Sequence, residues 1–291
     1  MRILVTGGAG FIGVATVYDL ATHGHHVTTY DIATTPDEDI TIPANLHAFI
    51  QQEQPDVIVH LAGLLGTSEL LDDVPRAERV NVGGTINLLE ECKRARIPLV
   101  FMSKPNPEDW HNIYTITKMA CEDYCRVYAK EFGLDITILR PYNAYGPGQK
   151  TYPKKFCPTF IMDALAGKFI SVYGSGEQVI DPVYVDDIAR AIRLVIEKRA
   201  WGKTIEIGIG KPVTVNAFAE MIRTKVGEFV DTAPGITHVP MRIGEPEKTV
   251  SRIWADTTNM MSILGMCPGS MIQLAEGIER TVRWYARTYQ S

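Results

Sequence analysis

The spacing of three glycines within the first thirteen residues constrains this chain more than any other feature. Residues 2–6 form an apolar segment typical of a buried parallel strand, and Gly7, Gly10 and Gly13 follow that segment. From Phe11 onward the sequence has the pattern of a helix. A strand, a glycine turn and a helix N-terminus together predict a phosphate site, because backbone N–H groups and the helix dipole favour an anion there.

Strands and helices alternate along the first half of the chain. The predicted strands of this half are residues 2–6, 27–31, 56–61, 98–102 and 135–139, and its long helices are residues 75–96 and 111–132. Such alternation predicts βαβ units and therefore an α/β fold with a doubly wound parallel sheet. We expect residues 1–145 to form a nucleotide-binding domain, joined by some later segments. Residues 146–291 are expected to form mainly a smaller C-terminal α+β lobe that binds the substrate.

The composition argues against several classes of protein. The 291 residues are 45% hydrophobic and 22% charged, as in globular proteins, and the net charge of −5 argues against nucleic-acid binding. We expect no signal peptide, since the first strand starts at residue 2, and no membrane span, since no apolar run is long enough. The five cysteines form no CxxC pair and no cluster of metal ligands, so we expect no bound metal and reduced thiols in the cytoplasm.

Tyr114 and Lys118 lie four residues apart in the second long helix, so they share one face of it. An ammonium beside a phenol favours the phenolate, which predicts a lowered pKa for Tyr114. A tyrosine tuned in this way can remove a proton from a substrate hydroxyl and later return it. The sequence therefore predicts a catalytic pair downstream of a dinucleotide-binding motif.

Seven motifs, in this order, together resemble one enzyme family. They are TGGAGFIG (6–13), DVIVHLAG (56–63), NVGGTINLLEEC (81–92), YTITK (114–118), LRPYNAYGPG (139–148), VYGSGEQVIDPVYVDDIARAI (172–192) and ADTTNMMSILG (255–265). Over nearly its whole length the chain resembles the extended short-chain dehydrogenases/reductases of the NAD-dependent epimerase/dehydratase family, and UDP-glucose 4-epimerase-like enzymes above all. The resemblance implies a Rossmann-type fold, NAD as cofactor and a nucleotide sugar as substrate. It also implies a homodimer formed by the helices at residues 75–96 and 111–132.

The resemblance implies which residues bind NAD. They are Gly7, Gly10, Phe11, Ile12, Gly13, Asp31, Asp39, Ile40, Leu61, Ala62, Gly63, Ser103, Tyr114, Lys118, Tyr142 and Ala144. Asp31 would accept hydrogen bonds from the adenosine ribose and repel a 2′-phosphate, which favours NAD over NADP. Asp39 and Ile40 would contact the adenine, while Tyr142 and Ala144 would lie beside the nicotinamide.

Catalytic and substrate-binding roles are implied for a second set of residues. Tyr114 would be the base, Lys118 would bind the nicotinamide ribose and tune that base, and Ser103 is the candidate catalytic hydroxyl. The residues implied for substrate binding are Thr67, Ser68, Asn143, Tyr173 and Arg242. Tyr173 would lie beside the nucleotide base, and Arg242 would hold the diphosphate through charge-assisted hydrogen bonds.

Two departures from the family pattern concern the ligands. The diphosphate arginine that usually precedes the aspartate matching Asp181 is Ile180 here, which removes a cation from the expected diphosphate site. The segment between Asp31 and Asp39 is also short, so the second strand must connect onward with little extra structure.

A third departure concerns the catalytic hydroxyl. Ser103 lies only eleven residues before Tyr114, which is too short a spacing for the usual loop of the family. Ser103 is therefore either the catalytic serine or a serine that merely ends the strand. Thr67 and Ser68 are two other hydroxyls that could reach a sugar.

The activity most strongly implied is epimerisation, at C4 of a UDP-hexose through a transient 4-keto intermediate. The alternative is a nucleotide-sugar dehydratase or decarboxylase, since these enzymes begin with the same oxidation. A dehydratase needs an acid pair directly after its catalytic hydroxyl, and the acids nearby, Glu108 and Asp109, lie outside that context. A non-catalytic NAD-binding protein would explain Ile180 and the short serine loop, but not the retained tyrosine–lysine pair.

Overall fold

A six-stranded parallel sheet forms the centre of the protein in its computed structural model. The structure describes residues 1–105, 110–153, 155–230, 234–246 and 253–289. Glu108 and Asp109, the acids considered above, lie outside these residues. Among the described helices, none combines the length and the apolar character needed to cross a membrane.

The elements of the described residues follow in chain order. The strands are β1 (Arg2–Thr6), β2 (His26–Tyr30), β3 (Val57–His60), β4 (Leu99–Met102), β5 (Ile136–Pro141), β6 (Asn143–Tyr145), β7 (Ile170–Tyr173), β8 (Val179–Ile180), β9 (Pro182–Tyr184), β10 (Thr204–Ile207), β11 (Val213–Thr214) and β12 (Ile236–Val239). The helices are α1 (Phe11–Thr22), α2 (Pro43–Glu53), α3 (Val74–Glu78), α4 (Gly84–Ala95), α5 (Ile113–Phe132), α6 (Phe156–Leu165), α7 (Val185–Glu197), α8 (Val215–Val226) and α9 (Leu274–Tyr289).

The central sheet has the order β10-β5-β4-β3-β1-β2, and every neighbouring pair is parallel. β3 and β4 are buried along their whole length, which explains their continuous apolar sequence. Helices α1 and α7 cover one face, and α2, α4 and α5 cover the other. These features confirm the predicted α/β fold with a Rossmann-type, doubly wound parallel sheet. The strand order reverses at β1, so a crevice opens where β1 and β3 end.

A smaller lobe is built on three two-stranded sheets. β6 pairs with β9 and β7 with β12, both in parallel, while β8 pairs with β11 in antiparallel orientation. Helices α6, α8 and α9 pack together around a second core, which includes Tyr145, Phe218 and Tyr285. β10 and α7 come from the same half of the sequence but join the first sheet, where α7 packs on α1.

The predicted helix over residues 75–96 is interrupted. It consists of α3, a π-helical turn at Arg79–Gly83, and α4. The wider turn places Asn81 in the interior, where its amide donates to the carbonyl O of Leu64 (3.1 Å) and to the hydroxyl of Thr117 on α5 (3.0 Å). The prediction of one regular helix was wrong here, because apolar periodicity does not show a polar anchor between distant segments.

Candidate functional site

The glycine turn between β1 and α1 lies directly against the end of β3. Gly7 has a φ of +73°, and a Cβ placed on it would be 2.6 Å from the backbone N of Ala62. A Cβ on Gly13 would be 2.2 Å from the carbonyl O of Gly7. Both positions require glycine, since a side chain would push apart the strand, the turn and the helix.

The N-terminus of α1 has the properties of a pyrophosphate site. Gly10 is the N-cap residue, and no side chain caps the helix. The first turn includes Phe11, Ile12 and Gly13 and holds no acidic residue. Its N–H groups and the positive end of the helix dipole are therefore suited to an anion, and these residues fit the pyrophosphate of NAD.

Asp31 follows β2 at the same edge of the sheet. Its carboxylate accepts hydrogen bonds from the backbone N–H groups of Ala9 and Ala33, both at 2.8 Å. The bond to Ala9 ties the end of β2 to the glycine turn. A ribose at Asp31 and a pyrophosphate at the turn would therefore belong to one dinucleotide, as predicted from the spacing.

The predicted adenine contacts, Asp39 and Ile40, precede α2. The Asp39 carboxylate accepts the backbone N–H of Thr41 at 2.8 Å. The Ile40 side chain is buried, and a Cβ on Gly84 of α4 would lie 2.5 Å from its Cδ1. The Ile40 side chain therefore packs in the core and is not available to a ligand. An adenine at this position would contact the backbone of Ile40.

Residues 61–63 extend β3 towards the catalytic pair. The backbone N of Leu61 donates to the carbonyl O of Thr6 at 3.0 Å. A Cβ on Gly63 would be 3.1 Å from Oδ1 of Asn81 and 3.8 Å from Nζ of Lys118. Gly63 thus lies at the point where the end of β3 meets α5.

Tyr114 and Lys118 lie in the first two turns of α5, at the carboxyl end of β4. Asn112 caps this helix through its side-chain oxygen. The Lys118 ammonium donates to the carbonyl O of Met102, the last residue of β4, at 2.8 Å. The structure therefore brings the predicted pair to the sheet edge that also carries the glycine turn and Gly63.

The ionisation of the pair differs from the prediction. Burial raises the pKa of the Tyr114 phenol, and the Cys121 thiol adds to the rise. Burial also lowers the pKa of the Lys118 ammonium. The predicted lowering of the Tyr114 pKa by Lys118 was therefore wrong for this structure, because burial disfavours the charged phenolate.

The Ser103 side chain is buried directly after β4 near the carboxylate of Glu122 on α5, and its hydroxyl has no hydrogen-bond partner among the described residues. Arg140 donates two hydrogen bonds to the same carboxylate. Burial alone would raise the pKa of Glu122, but the bonds from Arg140 and the nearby Ser103 hydroxyl lower it. This environment favours the second reading of Ser103, as a serine that ends the strand.

The other two candidate hydroxyls contact the C-terminal lobe. The Ser68 hydroxyl donates to the carbonyl O of Ile243 at 2.6 Å. The Thr67 hydroxyl lies near the carboxyl of Glu245 and lowers its pKa. Both predicted substrate contacts therefore join the N-terminal lobe to the segment at residues 240–246.

Tyr142, Asn143 and Ala144 lie where the chain passes from the sheet into the smaller lobe. The Tyr142 hydroxyl donates to the carboxylate of Glu206 at 3.0 Å. Oδ1 of Asn143 accepts the backbone N–H of Asp181 at 3.1 Å, and Asp181 itself is fully buried. Ala144 packs against the core of the first lobe. The polar side chains of this segment thus fix its course between the lobes.

The two remaining predicted substrate residues meet in the cleft. Nη2 of Arg242 lies 2.7 Å from Oε1 of Glu69, which comes from the N-terminal lobe. The guanidinium of Arg242 also lies 5.9 Å from the ring centroid of Tyr173 at the end of β7. The structure therefore brings Tyr173 and Arg242 together, on the side of the cleft that carries Thr67 and Ser68.

Three charged residues near the cleft were missed in the sequence: Lys104, Lys155 and Glu245. Ile180 is buried in the second core, so that position supplies no cation. Lys155 is the N-cap residue of α6, and its ammonium has no hydrogen bond or ion pair with any residue that the structure describes. Burial lowers its pKa, while the nearby carboxylates of Glu69 and Glu245 limit the decrease. In the sequence, Lys155 could have been noticed as a lysine directly before the apolar segment that forms α6.

Comparisons with known proteins agree with this geometry. The sequence profile of the NAD dependent epimerase/dehydratase family matches residues 3–208. The chain is 28% identical over 323 residues to the UDP-glucose 4-epimerase of Mycolicibacterium smegmatis, covering 100% of both chains. It is 30% identical over 322 residues to the dTDP-glucose 4,6-dehydratase of Streptomyces niveus, covering 98% of this chain and 93% of that one. The crystal structure of UDP-glucose 4-epimerase with UDP-glucose from Thermotoga maritima superposes with a TM-score of 0.88, at 29% identity and over 99% of each chain.

The position of Asp31 generates a prediction about cofactor choice. Asp31→Ala should weaken NAD binding roughly tenfold to a hundredfold, the usual scale for a lost charge-assisted hydrogen bond, and should narrow the preference over NADP. Asp31→Asn keeps an acceptor for Ala9 but removes the charge, so it should narrow the preference with a smaller loss of NAD affinity. Calorimetric titration of both cofactors measures this. Unchanged affinities in both variants would show that another residue contacts the ribose.

Proposed function

Because this chain belongs to the NAD-dependent epimerase/dehydratase family, we propose that it is a nucleotide-sugar epimerase that inverts C4 of a UDP-hexose through a transient 4-keto sugar. The proposal rests on one observation above all, the placement of Tyr114 and Lys118 at the sheet edge that carries the glycine turn. A proton carrier and a dinucleotide site at one edge are what oxidation and re-reduction of a hydroxyl require.

In the proposed reaction, Tyr114 takes the proton of the C4 hydroxyl while the C4–H bond breaks. NAD, when bound, would supply a hydride acceptor and donor and a positively charged ring. Inversion at C4 then requires the 4-keto sugar to turn in the cleft, so that its opposite face receives the hydride. The Lys118 ammonium has three N–H donors, of which Met102 uses one, so two remain for the nicotinamide ribose. Tyr114 finally returns its proton to the C4 oxygen, which leaves protons and electrons balanced over the cycle.

Arg242 and Lys155 supply the positive charge for the diphosphate in this proposal. Lys155 stands at the N-terminus of α6, and Arg242 approaches from the segment after β12. A diphosphate would replace Glu69 as the partner of Arg242 and would also give the buried Lys155 ammonium a partner. The cation missing at Ile180 is thereby compensated from a different element of the same lobe.

Dehydration is the second candidate, and Glu245 is the observation that favours it. This carboxyl lies in the cleft beside Thr67, and burial raises its pKa, although Thr67, Arg242 and Lys155 oppose the rise. A carboxyl that retains its proton more readily can donate it to a departing hydroxyl once the neighbouring carbon has been oxidised.

A panel of nucleotide sugars decides between these reactions. We expect purified protein with NAD to convert UDP-glucose into UDP-galactose, seen as a new anomeric proton signal by NMR. A 4-keto-6-deoxy sugar or the loss of a carboxyl carbon would instead assign a dehydratase or a decarboxylase. Binding of NAD without reduction by any UDP-, GDP- or dTDP-sugar would support a non-catalytic protein.

The proton carrier can be tested by substitution. Tyr114→Phe should abolish turnover while NAD still binds, because the phenol is the group placed to accept the hydroxyl proton. Ser103→Ala should be much milder, since that hydroxyl lies beside Glu122. Single-turnover absorbance of reduced nicotinamide measures both rates. If Ser103→Ala is as inactive as Tyr114→Phe, Ser103 is the catalytic serine after all.

An apolar stripe on α5 supports the proposed homodimer. Ile116, Tyr124 and Val127 lie on one face of the helix and are between 41% and 54% exposed. α3 and α4 pack beside α5, so the expected pair of helices forms one continuous surface. A twofold axis through this surface would bury the stripe against its copy.

The dimer prediction uses two matched valines. Val127→Lys should convert the dimer into a monomer, because it places a charge in the proposed interface. Val14→Lys changes an equally exposed valine on α1, outside the stripe, and should leave a dimer. Light scattering at micromolar concentration gives both masses. A wild-type monomer, or identical masses in both variants, would count against the interface.

The state of the cysteine thiols indicates the cellular compartment in which the protein works. All five cysteines are free, and four of them are buried. Free thiols persist in reducing compartments, so we propose that the protein works in the cytoplasm.

A further inference from the structure

The three hydroxyls considered for the sugar all have other neighbours. Ser68 donates to Ile243, Thr67 lies near Glu245, and the buried Ser103 hydroxyl lies near Glu122 without a hydrogen bond among the described residues. The proposed reaction still requires a donor for the sugar oxygen beside Tyr114, because negative charge develops on that oxygen as its proton leaves. The search for such a donor leads to the residue that follows Ser103.

Lys104 is held against the catalytic pair by two tethers. Its backbone lies two residues after Met102, whose carbonyl binds Lys118. Its ammonium donates to the hydroxyl of Thr115 at 2.7 Å, and Thr115 directly follows Tyr114 in α5. The backbone and the ammonium of Lys104 are therefore both tied to segments that carry the tyrosine–lysine pair.

The Lys104 side chain also faces the substrate cleft. Its Nζ lies 5.6 Å from the ring centroid of Trp110, and the Trp110 indole N–H donates to the carbonyl O of Gly244 at 2.9 Å. Gly244 belongs to the C-terminal segment between Arg242 and Glu245. Trp110 thus bridges the lobes beside the ammonium and limits its access to water.

The charge state of Lys104 is unusual for a lysine. Burial, reinforced by the positive charge of Arg140 on β5, lowers the pKa of Lys104 to about 8, while the Glu245 carboxylate limits the decrease. No ion pair to Lys104 is found within the described part of the chain. At neutral pH most of these amines carry a proton, and two of the three N–H donors are not used by Thr115.

We propose that Lys104 is a further catalytic residue, whose ammonium hydrogen-bonds the same sugar oxygen that Tyr114 deprotonates. The inference rests on the proposed function, since it assumes a hydroxyl that is oxidised. The hydroxyl proton passes to Tyr114, and the electron pair of the C–H bond leaves with the hydride. Lys104 keeps its proton, stabilises the negative charge that develops on oxygen, and holds the keto oxygen until the hydride returns.

The first test compares lysine variants with UDP-glucose as substrate. Lys104→Met should slow single-turnover reduction of the nicotinamide by about 10² to 10³, the scale for one lost donor to a developing oxyanion, while the Kd of UDP-glucose changes little. Lys104→Arg should recover part of the rate. Lys130 is an exposed lysine on α5, about 24 Å along the helix from Tyr114. Lys130→Met should therefore leave the single-turnover rate unchanged.

The pH profile separates a catalytic from a structural role. A lysine acts as a cation below its pKa, so the wild-type rate should fall as pH rises through about 8, and Lys104→Met should lose this alkaline limb. A rate within threefold of wild type in Lys104→Met, or an unchanged alkaline limb, would overturn the proposal.

A second measurement does not depend on turnover. The Lys104 amine should be acetylated by acetic anhydride at pH 8, and bound UDP-glucose should protect it while labelling of the exposed Lys130 stays unchanged, as followed by peptide mass spectrometry. Equal labelling with and without bound UDP-glucose would also overturn the proposal. Failure of every nucleotide sugar in the panel to bind would instead contradict the proposed function, so the two failures are distinguishable.

Discussion

The close approach of the glycine turn to the end of β3 is the constraint on which the rest of the site depends. A Cβ on Gly7 would be 2.6 Å from the backbone N of Ala62, so there is no room for a side chain. The backbones at the end of β1, the end of β3 and the start of α1 therefore pack directly against one another. That convergence fixes the N-terminus of α1, and Asp31 is bonded to the same turn. The place of a dinucleotide is thereby set by backbone packing, before any side chain selects it.

Partly buried charges are concentrated in the cleft between the lobes. Glu69 pairs with Arg242, and Lys104, Lys155 and Glu245 lie around them. Each charge is costly to bury alone, so the group is stable only with partners of opposite sign. A substrate that carries a diphosphate and polar sugar oxygens supplies such partners, whereas an apolar ligand would leave the same charges desolvated.

Local sequence patterns were sufficient to predict the fold, and the structure brings several of the predicted site residues to one edge of its sheet. The apolar runs of β3 and β4 and the spacing of Gly7, Gly10 and Gly13 each reflect a constraint within one or two elements. The interruption at Arg79–Gly83 could not be predicted in this way, because it depends on the contact between Asn81 and Thr117, which are distant in sequence. Helix α2 was also not predicted, because it has few apolar residues. Two of them, Leu46 and Ile50, are buried in a core that they share with the central sheet.

The chemistry of individual groups depended most on tertiary context. The sequence places Lys118 one turn after Tyr114, but it does not show that the ammonium binds the Met102 carbonyl or that burial raises the pKa of the phenol. It likewise does not show that Ser103 is beside Glu122 while the next residue, Lys104, reaches Thr115. Successive side chains at the end of a strand point in opposite directions. Ser103 therefore packs in the interior, whereas Lys104 faces the cleft. In the proposed reaction, the residue after Ser103 therefore supplies the donor that the sugar oxygen needs.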